Sequence, residues 1–409
     1  MLTQPVFRFL WVLTMFQTSI VPHEAVEHYG EDFSRNPVGS GPFVLDEWVP
    51  KSHMTFDRNP AYRPMFYPAA EVWSEEDTAL GLAEAAGTRL PIADRLEYTF
   101  YIEDQPLWLE FRQNKLGLIQ VPSAYFPEAF SKRSKRLNRE FRQEGITHAA
   151  VPLLDYIFRA FNMEDELVGG YTPEKKALRR AISLAVDWDE FNQDFYEGLC
   201  TVYDGVIPPG LEGHPENGRD AKAPRGPDIQ AAKAALVEAG YPDGEGLPPI
   251  RFYTSQGGNN DQQVEMLQRQ LSRINVKLDP ILVDFSQLIE QVNKRQAPMF
   301  SFAWSSDYPD GENNLALFYG PNESPGSNHY NYKNPEYDKL YESIVAMEPG
   351  EERTRIYTQM QDMLFEDIPA IGALARVRYY LIAPWLKNVK PNERYYGWYK
   401  MLDVDDSKR

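Results

Sequence analysis

The chain contains one cysteine, Cys200, among 409 residues. That excludes an internal disulfide and any zinc site built on cysteines. It leaves the compartment open, because many periplasmic proteins carry no disulfide. Histidine is scarce too: six residues, scattered without metal-ligand spacing. His23 and His28 sit in a segment like a zinc-protease helix, but that motif needs histidines four apart, and five apart they point ~140° away from each other at ~100° per residue. Positive charge is in deficit: 42 Lys and Arg against 60 Asp and Glu leave a net charge of −18. So acidic a chain repels phosphate backbones and anionic lipid surfaces, so neither nucleic acid nor a membrane surface is an expected partner.

Long apolar runs are missing. Residues 6–21 come nearest, but a bilayer span takes ~20 predominantly apolar residues. A signal peptide is a poor fit: no basic stretch precedes the run, Arg8 and Gln17 interrupt it, and Pro22-His23-Glu24 follows in place of a small-residue cleavage site. A buried helix or strand is the expectation there. Also missing are a Gly-x-Ser-x-Gly elbow, a phosphate loop and a dinucleotide fingerprint. The acids from Asp307 to Glu312 lack calcium-loop spacing and contain Pro309. No catalytic residue, metal site or cofactor is assigned.

What is present is a globular composition, 43% hydrophobic and 25% charged, enough for two or three domains at ~150 residues each. Aromatics at 13% supply a core, or a cleft that stacks on flat groups. The first 150 residues read as mixed α+β, with a hairpin over 43–58. An excursion over 61–90 carries one helix at about 73–86. The basic run 131–142 reads as a solvated helix face. Asp187, Asp228 and Asn334 are placed to cap helices. Residues 250–304 alternate strand, helix, strand, helix, strand, which implies a parallel sheet with right-handed crossovers. Pro280 puts its strand near an edge or at a bulge.

Open α/β sheets bind ligands beyond the carboxyl ends of their strands. The strand 299–304 ends at Trp304 and runs into Ser305-Ser306-Asp307-Tyr308-Pro309-Asp310-Gly311. Asp310 and Gly311 belong to turn chemistry. Asp307 is either a helix cap or loop acid, or a carboxylate held for a cationic group with Trp304 as an apolar wall.

Asn36-Pro37-Val38-Gly39-Ser40-Gly41-Pro42-Phe43, Trp48 and Arg58-Asn59-Pro60-x-Tyr62 resemble the signature of the family 5 extracellular solute-binding proteins, the oligopeptide, dipeptide and nickel receptors of ABC importers. The resemblance continues in order through Ile20-Val21-Pro22-x-Glu24-Ala25, Leu178-Arg179-Arg180-Ala181-Ile182-Ser183, Ile207-Pro208-Pro209-Gly210, Trp304-x-x-Asp307-Tyr308-Pro309-Asp310 and Asn334-Pro335-x-Tyr337-Asp338. It implies an α/β, two-lobed periplasmic-binding-protein-like fold (class II, cluster C type). Residues 1–155 would form part of lobe one, 156–385 lobe two, and 386–409 a return to lobe one. It further implies a monomeric extracytoplasmic receptor that binds peptides between its lobes and delivers them to permease subunits. The peptide's amino group would pair with Asp307, and its backbone with Ala303 and Ser305, beside Trp304. Such members usually carry ~200 further residues, one to two domains' worth, before the Pro22 segment, so the first lobe is expected to be incomplete. Other readings are a receptor for a nickel chelate or an oligosaccharide, a hydrolase, or a remnant that binds nothing.

Overall fold

The computed structural model describes residues 7–392 and 394–409. The chain divides into two compact units. One unites the segment ending at Met15 with Pro152–Val377; the other unites Phe16–Val151 with Arg378–Arg409. The sequence reading drew these boundaries at 155/156 and 385/386, with the first residues in the other unit.

In the unit beginning at Phe16, β1 (Phe43–Val49) and β2 (His53–Arg58) form the expected antiparallel hairpin, with Lys51 at φ 62° in its turn. β3 (Arg95–Thr99) pairs with β2 on its far side. The excursion between them differs from expectation. Its helix is only Glu75–Ala79, started by a reciprocal Ser74–Asp77 cap. Gly81 and Gly87, both at positive φ, stop it from continuing. The basic run is helical only over Arg139–Gln143; a bridge between Phe130 and Leu137 closes the residues before it into a turn. The short strands β4 (Leu118–Gln120) and β5 (Thr147–Pro152) flank a later strand of the chain.

In the other unit, β6 (Asp155–Phe161), β7 (Thr201–Val202), β8 (Ile250–Ser255), β9 (Leu278–Val283), β10 (Met299–Ser305) and β11 (Ala370–Ala375) make a six-stranded sheet in the order β7-β11-β6-β10-β8-β9. β10, β8 and β9 are parallel and joined by the helices Asn260–Ser272 and Phe285–Asn293, as the sequence pattern predicts. Pro280 lies in β9, an edge strand, where its missing N–H costs no ladder bond. One sheet face is covered by aliphatic residues such as Leu178, Ile182, Leu236 and Leu271. The other is aromatic, with Tyr156, Phe158, Phe300, Phe318, Tyr330 and Tyr337. The caps at Asp187, Asp228 and Asn334 form, each side chain accepting a backbone N–H of the first helical turn.

β12 (Val377–Ile382) then lies between β4 and β5. The N-terminal expectation is not met. Residues 8–18 form the helix Arg8–Val12 and a 3-10 turn at Phe16–Thr18, and neither contains a buried residue. Ile20 is 98% exposed. A helix of five residues is too short to own a continuous buried face. Val6, the first residue of that run, lies outside the described residues.

Candidate functional site

β10 pairs with β6 along its whole length, from Met299 opposite Phe161 to Ser305 opposite Asp155. With β8 it pairs only at Met299 and Phe300. Residues 301–305 therefore have a strand neighbour on one side alone among the described residues. The Ser306 N–H donates to the Leu154 carbonyl and the Asn162 N–H to the Pro298 carbonyl, each at 2.9 Å. These bonds set the phase of the antiparallel ladder: even-numbered residues of β10 exchange bonds with β6, and the N–H and C=O of Ser301, Ala303 and Ser305 face the side that β8 has left. The side chains of Ala303, Ser305 and Asp307 are exposed, and Trp304 is half-buried.

The loop after β10 is tied to the helix Glu312–Leu315 by three consecutive side chains. Glu312 is fully buried and accepts from the Tyr308 hydroxyl at 2.6 Å, from Tyr341, and from Arg8 Nη1 at 3.2 Å. Burial, then the nearby Glu312 carboxylate, raises the Tyr308 pKa, so the phenol remains a donor. Asn313 Oδ1 accepts from Trp304 Nε1 at 2.8 Å and from the Asp307 N–H at 3.1 Å, while its Nδ2 donates to Asp307 Oδ2 at 3.3 Å. Asn314 Oδ1 accepts from the Ser306 hydroxyl at 2.6 Å. Asp307 is thus an exposed carboxylate on a loop pinned by Glu312, Asn313 and Asn314, although Asn314 Nδ2 is buried without a partner; one oxygen of Asp307 is held by Asn313, a preorganised arrangement for a cation.

Asp310 has a different role. It is 4% exposed, bonded by Arg353 Nη2 at 2.9 Å, the Tyr357 hydroxyl at 2.7 Å and the Glu312 N–H at 3.0 Å. A Cβ on Gly311 would meet the Glu212 carbonyl oxygen at 2.6 Å, so only glycine fits there. Both residues are structural, as turn chemistry predicts. Sequence reasoning missed Glu312, Asn313 and Asn314. The available signal was three consecutive polar residues leading directly into the apolar run that starts at Leu315. His23 does lie on a helix, His23–Tyr29, but it pairs with Glu27 at 3.1 Å. No helix among the described residues is long and apolar enough to cross a membrane.

Comparison with known proteins bears on this geometry. The chain is 25% identical over 233 residues to the heme-binding protein A of Haemophilus influenzae, covering 56% of this chain and 41% of that protein. It is 23% identical over 379 residues to the glutathione-binding protein GsiB of Salmonella typhimurium, covering 90% of this chain and 65% of that one. The chain thus spans less than two thirds of the length of these curated relatives. Among solved structures, the periplasmic binding protein DppA from Helicobacter pylori in complex with the peptide STSA superposes with a TM-score of 0.71 at 18% identity, over 98% of this chain and 71% of that one. At that identity the likeness establishes the fold, the periplasmic-binding-protein fold that the sequence resemblance implies. Residues 1–326 match the family described as bacterial extracellular solute-binding proteins, family 5 Middle. The chain belongs to the family 5 bacterial extracellular solute-binding proteins.

Proposed function

We propose that this chain is the substrate-binding component of an ABC importer, that its ligand is a peptide, and that it hands the ligand to a membrane permease without transforming it. The observation that carries this reading is β10. At Ser301 and Ala303 its backbone groups turn to a side with no paired strand among the described residues, and its carboxyl end leads to the Asn313-held carboxylate of Asp307. An extended peptide adds there as a strand, bonding the backbone of Ala303 and Ser305, which gives affinity with little regard to side chain. Its α-amino group, cationic below a pKa of roughly 8, pairs with Asp307 beside the Trp304 indole. The names of the relatives favour a binding role over a hydrolase. The family favours a periplasmic, monomeric receptor.

Calorimetry tests this with trialanine and N-acetyl-trialanine against wild type and Asp307→Asn. A charge-assisted bond contributes about 1.5–3 kcal/mol. Free trialanine therefore loses ~10-fold to ~100-fold in affinity on substitution, and the acetylated peptide binds both proteins alike. Equal binding of free trialanine by the two proteins would return Asp307 to the role of a loop acid.

A further inference from the structure

The two faces that a ligand strand would present along β10 are unlike each other. Phe302 and Trp304 project to the aromatic side of the sheet, both half-buried. Phe285, first residue of the helix Phe285–Asn293, comes from beyond β8 to the same side. Its ring centroid lies 6.3 Å from that of Phe302, yet it is 62% exposed. His329 packs edge-on against Phe302 from the other direction, at 5.4 Å. Burial lowers the His329 pKa, which leaves its ring neutral near pH 7, so His329 adds no charge to this wall. On the opposite face, β10 offers only Ser301, Ala303 and Ser305, the last two exposed.

A strand bound along β10 has side chains that alternate between the faces, each level with a β10 side chain. The four steps from Ser301 to Ser305 span about 13 Å, room for a ligand strand of about four residues. Ligand side chains level with Trp304 and Phe302 meet indole and phenyl surface, and the rim of that surface is an exposed Phe285. Phe285, Phe302 and Trp304 stand on one side of the sheet, so a ligand side chain there covers aromatic surface contributed by two elements, β10 and the helix Phe285–Asn293. Ligand side chains level with Ala303 meet a methyl group and solvent.

We propose that Phe302, Phe285 and Trp304 form a side-chain subsite, and that the ligand is a short peptide with aromatic or large aliphatic side chains at every second position. The intervening positions are unselected. This rests on the peptide reading above and names the peptide class within it.

The test uses the full 409-residue chain, tetra-alanine, and the four tetrapeptides in which phenylalanine replaces one alanine. Calorimetry is run on wild type and Phe285→Ala, whose exposed side chain can be lost without a core cavity. Thermal unfolding of both proteins checks that the fold is intact. Phenylalanine at alternate positions should tighten binding by about 10-fold over tetra-alanine, or 1.4 kcal/mol. At the intervening positions it should change little. Phe285→Ala should reduce the gain of each phenylalanine peptide over tetra-alanine, measured on the same variant, to about threefold or less. If tetrapeptides bind but phenylalanine has the same effect at every position, or Phe285→Ala leaves the pattern unaltered, the subsite is wrong and the peptide reading stands. If no tetrapeptide binds, the peptide reading fails and the subsite fails with it.

Discussion

Asn313 holds Asp307 at two points, accepting its backbone N–H at 3.1 Å and donating to its Oδ2 at 3.3 Å. The same Asn313 oxygen accepts the Trp304 indole N–H. One buried amide thus fixes the acid and its apolar neighbour together. An exposed aspartate without such a partner would sample several rotamers and lose part of any ion pair to the entropy of ordering.

Asn313→Ala should therefore weaken binding as well as stability. Two N–H donors lose their acceptor, which costs about 1–3 kcal/mol where they are left without water. If Asp307 receives an amino group, free trialanine affinity should also fall by about 10-fold, with N-acetyl-trialanine much less affected. Calorimetry with both peptides, paired with urea melts, separates the effects. A stability loss with unchanged discrimination between the two peptides would make Asn313 a scaffold residue only.

Asp310→Ala should act on stability alone. Arg353 is 2% exposed and loses its 2.9 Å partner, keeping Glu212 at 3.4 Å. Removing one member of a buried pair costs about 3–5 kcal/mol, and the remaining Glu212 argues for the lower end. The urea midpoint of Asp310→Ala should drop well below that of wild type. A variant as stable as wild type would show that Glu212 takes over the whole pairing.

Stability should fall as the solution is acidified through pH 6.5. Burial lowers the pKa of His214 and His329 below their ordinary 6.5. Near and below that pH, unfolded histidines take up protons that the folded chain refuses. The unfolded state then binds more protons, so stability rises with pH across this window and levels off above about pH 7. Urea midpoints at about pH 7.5, 6.5 and 5.5 should show the decline, and His329→Phe should remove its share. A flat profile would mean that these rings gain compensating partners when protonated.

Local rules read well where one residue type decides the backbone. Asp187, Asp228 and Asn334 cap their helices because a short side-chain acceptor beside unpaired N–H groups has few alternatives. The alternation over 250–304 reads as a parallel sheet because apolar periodicity switches between two and 3.6 residues there. The 6–21 run fails the same test. Its apolar residues suggest burial, but burial needs a partner surface, which no local pattern supplies. The 73–86 helix fails at Gly81, where a positive φ outweighs the alanine-rich composition around it.

The sequence by itself determined the parallel strands leading to Asp307, the turn character of Asp310 and Gly311, and the ordered motifs of the family, because periodicity, turn chemistry and motif order are properties of neighbours along the chain. Only the tertiary structure decided that Arg353, Tyr357 and Arg8 converge on Asp310 and Glu312, that Asn313 grips Asp307, and that β8 parts from β10 after Phe300. Those are contacts between residues far apart in the chain or choices of strand divergence. They depend on how the buried tyrosines and the sheet pack together, which no single stretch of residues encodes.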